Sequence, residues 1–311
     1  MKLKILVGYT GFVGSNLYAS GEFDYVYNSK NIEEAYGKNP DLLVYAGLRA
    51  EKYLANHEPE KDMATILSAQ ENIKKINPKK LVLISTIDVL KNPQGVDENE
   101  KIDTEGLNAY GYNRYQLEVW VRDNFPDALI IRLPGLFGEN IKKNFIYDFI
   151  NRCPFMLKEE KMEELSKIKS EIKKYYCLQQ NGFYKIKELN KDEIKILKEI
   201  LVDVNFSALN FTDSRNQYQF YPLKRLWKDI KICLENELFL WHPATEPVKT
   251  SELYYYLAGE EFCNELNGIP VSYDYKTVYD NLFGGTQGYI MDKTLVLEEI
   301  ADFVRGKLIN E

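Results

Sequence analysis

Three groups of residues in this chain have types and spacings that can do chemistry. Near the N-terminus, glycines punctuate the run Lys4-Ile5-Leu6-Val7-Gly8-Tyr9-Thr10-Gly11-Phe12-Val13-Gly14-Ser15. A short apolar segment that breaks into glycines at this spacing, then enters a segment able to form a helix, suits a diphosphate. Gly8 makes the tight turn, Gly11 lets backbone approach the anion, and Gly14 lets helix pack on strand. Phe12 and Val13 open the helix, where unpaired N–H groups and the positive end of the dipole face a phosphate. The second group is Tyr110 and Arg114, four apart on a segment with helical patterning, so both share one face. A phenol ionises near pH 10; to take a proton near neutrality it needs roughly three units of depression, about 4 kcal/mol, which a fixed cation helps supply. The third is Thr86, at the carboxyl end of a predicted parallel strand, where open α/β sheets hold ligands. Each pattern taken alone has a plainer reading: a glycine-rich turn, a capping aromatic with a solvated arginine, and a threonine satisfied by a turn.

The elements that must position these groups are legible as alternating short apolar runs and helical segments, which argue for βαβ units and a parallel sheet. Strands are expected at 3–7, 24–28, 41–46, 80–85 and 128–132, with helices near 14–20, 60–75 and 109–124. Met63, Ile66, Leu67, Ile73 and Ile76 recur at helical spacing and are expected to cover one face of the sheet, with Asn77-Pro78 ending the helix. The composition shifts after Phe155. Residues 158–175 are dense in Lys and Glu, with Met162, Leu165, Ile168 and Ile172 as one apolar stripe. Asn190 and Glu193 have the spacing of a capping box ahead of a second helix containing Ile194, Leu197 and Leu201. Gly182 to Ile186 fits a short strand between them. No internal repeat is present.

Composition excludes several classes. The chain has 311 residues and a formal net charge of -7, so it carries no basic footprint for nucleic acid or an acidic membrane surface. Met1 leads straight into the first strand, with no apolar leader or membrane-length run. Cys153, Cys177, Cys233 and Cys263 lie far apart without metal-type spacing and read as reduced thiols, so a cytoplasmic protein is expected. With only His57 and His242 available, a histidine-rich metal site is excluded.

Gly8-x-x-Gly11-Phe12-Val13-Gly14-Ser15 resembles the nucleotide-binding turn of the extended short-chain dehydrogenases/reductases. These are the NAD(P)-dependent epimerases, dehydratases and reductases that mostly act on nucleotide sugars. Three further blocks follow in that family's order: Ser85-Thr86-Ile87-Asp88-Val89, Tyr110-Gly111-Tyr112-Asn113-Arg114 and Arg132-Leu133-Pro134-Gly135-Leu136-Phe137-Gly138. The match covers residues 1–150 well and 204–311 loosely, where Phe220-Tyr221-Pro222-Leu223 and the helix after it resemble a return strand and helix, and Thr250 or Ser251 a helix cap.

The resemblance implies a Rossmann-type, doubly wound α/β fold with a smaller α-rich substrate region. Residues 1–155 would be the dinucleotide-binding domain, 156–203 a charged insertion, and 204–311 a substrate region returning partly to the core. The insertion reads equally as a cap beside the site and as a surface decoration or dimerisation element, so a homodimer stays open. Tyr110 would be the acid/base, Thr86 the orienting hydroxyl and Arg114 the cationic partner. Arg114 stands where the family has lysine; it keeps the charge but cannot join a proton relay. Ala46-Gly47-Leu48 would contact the cofactor ribose, and Pro134 the nicotinamide amide end. No acidic residue ends the second strand, and Asn28 with Lys30 can accommodate a 2′-phosphate, which leans toward NADP; a solvated Lys30 is the plainer reading. Family dehydratases carry Asp-Glu after the threonine; here it is Ile87-Asp88, which disfavours dehydration and leaves Asp88 either touching substrate or starting a turn. The family's substrate asparagine and arginine are unmatched at Gly135 and Tyr218, making Asn144 and Arg215 the nearby candidates. The expected function is an epimerase or ketoreductase acting on a small-molecule sugar, and the alternative is a non-catalytic dinucleotide-binding sensor or scaffold.

Overall fold

The core strands are short continuous apolar runs rather than alternating ones, because helices cover both faces of a parallel sheet. In the computed structural model, which describes residues 2–179 and 181–309, they become β1 (Lys4–Val7), β2 (Tyr25–Tyr27), β3 (Leu42–Tyr45), β4 (Leu81–Thr86) and β5 (Leu129–Leu133). Each lies within a residue of its expected limits. The strand Leu240–Trp241 joins them at one edge, too short to leave a pattern in the sequence. The six-stranded sheet runs Leu240–Trp241, β5, β4, β3, β1, β2, with every neighbouring pair parallel. Strand order therefore reverses between β1 and β3, the kind of switch point at which doubly wound sheets open a ligand crevice.

Helices α1 (Phe12–Tyr18), α2 (Lys52–His57), α3 (Pro59–Ile76) and α4 (Ala109–Asn124) flank these strands in sequence. Ile66, Ile73 and Ile76 of α3 and Leu117 and Val121 of α4 are fully buried in one core with Ile5, Leu43, Leu83 and Ile130. Leu67, expected on the same face of α3, is instead 57 % exposed. It follows Ile66 directly, and a step of about 100° per residue takes it off the buried stripe. Asn77 ends α3 in the left-handed region, at φ 55°, just before Pro78.

The glycine turn is sterically defined. Gly8 sits at φ +93°, and a Cβ there would lie 2.3 Å from the Ala46 carbonyl oxygen. A Cβ on Gly14 would lie 2.0 Å from the Gly8 carbonyl oxygen. These two positions let β1, α1 and the segment after β3 converge.

The chain divides into two compact units: Met1–Asn140 with Tyr218–Val248 and Ser272–Val296, and Ile141–Gln217 with Lys249–Val271 and Leu297–Glu311. In the first, β6 (Gly135–Phe137) pairs in parallel with the strand Phe220–Pro222, and the helix Leu226–Glu235 follows. In the second, α5 (Phe145–Asn151) precedes β7 (Met156–Lys158), α6 (Glu159–Ile168), β8 (Tyr176–Leu178), β9 (Phe183–Ile186) and α7 (Lys191–Asp203). The three strands form an antiparallel sheet with β9 central. Its core is Leu157, Met162, Leu165, Ile172, Tyr176, Leu197 and Leu201. The Asn190–Glu193 capping box is present.

Two local expectations in the second unit are corrected. Residues 158–175 are not one helical stripe: α6 stops at Ile168, Lys169 is extended, and a 3-10 turn covers Ser170–Tyr175. Ile168, on the last residue of α6, is 62 % exposed. The later helix begins at Thr250 with Lys249 as its N-cap residue, and Glu252 Oε2 accepts the Lys249 N–H at 3.1 Å. Thr250 Oγ1 is turned instead to the Asn216 carbonyl, 3.1 Å away. Among the described residues no helix is long and apolar enough to cross a membrane.

Within a helix, replacing glycine by alanine ordinarily stabilises by about 1 kcal/mol. Gly14→Ala is expected to reverse that sign and destabilise the protein by about 1–3 kcal/mol through overpacking. A urea midpoint for the variant equal to or above that of the parent would show that the Gly8–Gly14 contact is not tight.

Candidate active site

The site is assembled where α4 meets the end of β4. Asn108 caps α4, accepting the Gly111 N–H at 3.1 Å, and Asn56 Oδ1 of α2 accepts the Tyr110 N–H at 2.9 Å. A Cβ on Gly111 would lie 2.1 Å from the Asp88 carbonyl oxygen. Only glycine lets the first turn of α4 rest on the turn that follows β4. That contact brings Thr86 and Tyr110 together: the Thr86 side chain hydrogen-bonds the phenol, and its Oγ1 also accepts the Asp88 N–H at 3.2 Å. Tyr110 is buried.

Arg114 lies one turn along, as its spacing implied. Its guanidinium carbon is 4.0 Å from the centroid of the Tyr110 ring. The group is buried, forms an ion pair with Asp62 of α3, and donates to the Arg49 carbonyl at 2.8 Å. Asn113 Nδ2 donates to the same Asp62 carboxylate at 2.8 Å. Sequence reasoning missed Asp62, because nothing in its spacing ties it to residues more than fifty positions away.

The pKa of the Tyr110 phenol is raised above its usual 10. Burial is the largest cause; Arg114 and the Thr86 hydrogen bond pull it down, while the negative charges of Asp88 and Asp62 push it up. The chain's own groups therefore favour the neutral form of the Tyr110 phenol.

Asp88 lies in the middle of the 3-10 turn Ile87–Val89 that follows β4, and its carboxylate is also engaged. Its Oδ1 accepts from Lys52 Nζ at 2.8 Å and from the Tyr273 hydroxyl at 3.0 Å. The Tyr273 ring stacks with Tyr218, centroids 6.2 Å apart. Neither Lys52 nor Tyr273 carried a motif in the sequence.

The glycine turn fits a dinucleotide diphosphate. Gly11 is exposed and caps α1 with no side-chain hydrogen bond, and no acidic residue lies in the first helical turn, Phe12 and Val13 included. A Cβ on Gly11 would meet only the Gly8 carbonyl, at 3.3 Å, so the outer side is open for close approach. Ala46, Gly47 and Leu48 follow β3 beside Gly8, with the Ala46 N–H donating to the Val7 carbonyl at 2.9 Å. Asn28 Oδ1 is used locally, accepting the Lys30 N–H at 2.9 Å, while the Lys30 side chain is exposed. Pro134 links β5 to β6. At Gly135 a Cβ would lie 2.8 Å from the Gln219 carbonyl oxygen, which gives a steric reason for glycine where the family pattern has asparagine.

Asn144 and Arg215 belong to the second unit and have structural partners there. Asn144 Oδ1 accepts the Ile146 and Tyr147 N–H groups as the N-cap of α5. Arg215 is paired with Asp213 and Glu265 and donates to the Leu266 carbonyl. Arg215 in turn holds the Asp213 carboxyl well below its usual range.

Behind Thr86 runs a buried polar chain. Ser85 Oγ donates to Glu118 of α4 at 2.5 Å, and Arg132 of β5 binds Glu118 with Nε and Nη2, the shorter contact 2.7 Å. Arg132 Nη1 approaches His242 Nε2 at 3.4 Å, and His242 Nδ1 faces the Lys276 carbonyl at 3.3 Å. Those partners define a neutral imidazole, protonated on Nδ1. Burial first, and then the Arg132 charge, push its pKa down to about 3. This chain locks the ends of β4 and β5 to α4.

No protein-family model and no curated protein matches this chain. Its likeness is to solved structures, along the full length. A dTDP-4-dehydrorhamnose reductase from Yersinia enterocolitica aligns at TM-score 0.63 and 15 % identity, covering 99 % of this chain and 100 % of that one. A UDP-N-acetylglucosamine 4-epimerase from Methanobrevibacter ruminantium, in complex with UDP-N-acetylmuramic acid, aligns at 0.64 and 12 %, covering 100 % and 99 %. A dTDP-4-dehydrorhamnose reductase from Bacillus anthracis in complex with NADP aligns at 0.61 and 16 %, covering 98 % and 99 %. At these identities the likeness establishes a shared Rossmann-type fold.

His242 makes stability depend on pH in a defined direction. Its folded pKa, about 3, lies below the usual 6.5, so the unfolded chain takes up a proton first as pH falls. The stabilisation is complete above about pH 6.5 and is lost down to about pH 3, by up to about 1.4 kcal/mol per pH unit. In urea titrations, the stability advantage of the parent over His242→Gln is expected to shrink between pH 7 and pH 4. A constant difference would mean that the imidazole is not held neutral.

Proposed function

We propose that this protein is an NAD(P)-dependent reductase of a nucleotide-activated keto sugar, with the dinucleotide lying along the Gly8–Gly14 turn. The observation that carries the reading is the neutral Tyr110 phenol, paired with Thr86 at the end of β4 and stacked against Arg114. A dinucleotide held by the Gly8, Gly11 and Gly14 turn would supply the hydride that reduces the carbonyl carbon. Thr86 orients the carbonyl oxygen, and Tyr110 gives it the phenolic proton, leaving a phenolate that the Arg114 guanidinium stabilises. A phenol held neutral is in the form that donates a proton to a carbonyl oxygen, which is the proton transfer a reduction requires. Exposed Lys30 and the lack of an acidic residue after β2 support NADPH over NADH. The fold shared with an NADP-complexed dTDP-4-dehydrorhamnose reductase is consistent with this direction.

A second reading rests on Asp62. By neutralising Arg114 it leaves less charge for a phenolate, as suits a dinucleotide-binding sensor. The two are separated by following reduced-nicotinamide absorbance while nucleotide keto sugars are added. The reductase consumes NADPH, with an alkaline limb in its pH–rate profile above pH 10, and Tyr110→Phe lowers kcat by about 10²–10⁴. A sensor binds NADPH without turnover on any keto sugar, and unchanged kcat in Tyr110→Phe would remove Tyr110 from the mechanism. Tighter binding of NADH than NADPH would overturn the assignment of Lys30.

A further inference from the structure

The groups around Asp88 form an arrangement that the proton-transfer chemistry of Tyr110 does not use. Asp88 sits between the two halves of the candidate site. Its N–H is held by Thr86 Oγ1 at 3.2 Å, and its carbonyl lies against Gly111, the residue after Tyr110. The carboxylate is oriented from two directions, because Lys52 Nζ at 2.8 Å and the Tyr273 hydroxyl at 3.0 Å both donate to Oδ1. Among the described residues Oδ2 has no hydrogen-bond partner. Lys52 is 45 % exposed and has two N–H donors beyond the one given to Asp88. A fixed acceptor and a fixed donor thus lie side by side. A sugar hydroxyl is both donor and acceptor, so its O–H can bond Oδ2 while its oxygen accepts from Lys52. Tyr273 and Tyr218, stacked with an interplanar angle of 27°, add aromatic surface of the kind that packs against the C–H face of a pyranose.

We infer that Asp88, Lys52 and Tyr273 form a receptor for a hydroxyl of the sugar next to its reacting carbon, and so determine which sugars this site accepts. The inference rests on the keto-sugar reading of Tyr110 and names the part of the substrate that these residues hold. Asp88 and Lys52 act through binding, and the proton and hydride steps remain with the groups already described. Because an ion pair already exists between them, the receptor is preorganised, and removing either partner leaves the other uncompensated toward the sugar.

The experiment is isothermal titration of the full chain with two matched pairs of probes, dTDP-glucose against dTDP and UDP-glucose against UDP. In the parent, at least one nucleotide sugar is expected to bind about tenfold tighter than its diphosphate, the increment of a charge-assisted hydrogen bond. Asp88→Asn, which keeps the shape of the side chain, and Lys52→Gln, at an exposed position, should each bring that ratio close to one. Binding of NADPH should stay unchanged in both variants, which shows that the fold and the dinucleotide site survive. The inference is overturned if neither sugar adds affinity in the parent, or if the increment survives in both variants. Failure of the reductase reading looks different: NADPH is not consumed with any keto sugar, while the sugar increment and its loss in the two variants are still measured.

Discussion

The contact between the first turn of α4 and the turn after β4 is the constraint on which the candidate site depends. Gly111 has no Cβ, and the Asp88 carbonyl occupies the space where one would be. Close approach at this point sets Tyr110 beside Thr86 and carries Arg114 under the phenol ring one turn later. A side chain at 111 would push the helix away and separate three groups whose chemistry requires hydrogen-bond distances. Asn108 and Asn56 complete the arrangement by satisfying the N–H groups of Gly111 and Tyr110 that the helix leaves unpaired.

Electrostatics at this junction are a balance between burial and a paired cation. Desolvation disfavours a phenolate, and Arg114 opposes it only in part because Asp62 shares its charge. Asp88 adds a negative charge from the other side. The balance favours the protonated form of the tyrosine. Arginine at 114 suits that balance: its fork reaches Asp62 and the Arg49 carbonyl together, while its flat face lies on the ring.

The polar chain from Ser85 to His242 supports the same junction from behind. Its charged members are buried and every link is a hydrogen bond or an ion pair, so the ends of β4 and β5 cannot shift independently of α4. At the other end of the sheet order, the Gly8–Gly14 turn achieves closeness by absence of side chains rather than by polar links. The two devices fix the glycine turn and Tyr110 against the same sheet.

The sequence by itself determined the strands, helices α3 and α4, the glycine turn, and the pairing of Tyr110 with Arg114. Each of these follows from local periodicity, or from a residue type needed at a fixed spacing along one element. It could not determine the charge state of Tyr110, the partners of Asp88, or the roles of Asn144 and Arg215 as a cap and an ion-pair partner. Those depend on groups distant in the chain: Asp62 beneath Arg114, Tyr273 on Asp88, Glu265 on Arg215. Leu67 and Ile168 show the same limit, since apolar spacing marks a stripe but not where packing ends. Burial and long-range electrostatics exist only once the chain has folded, and they decide the direction in which the Tyr110 phenol is shifted.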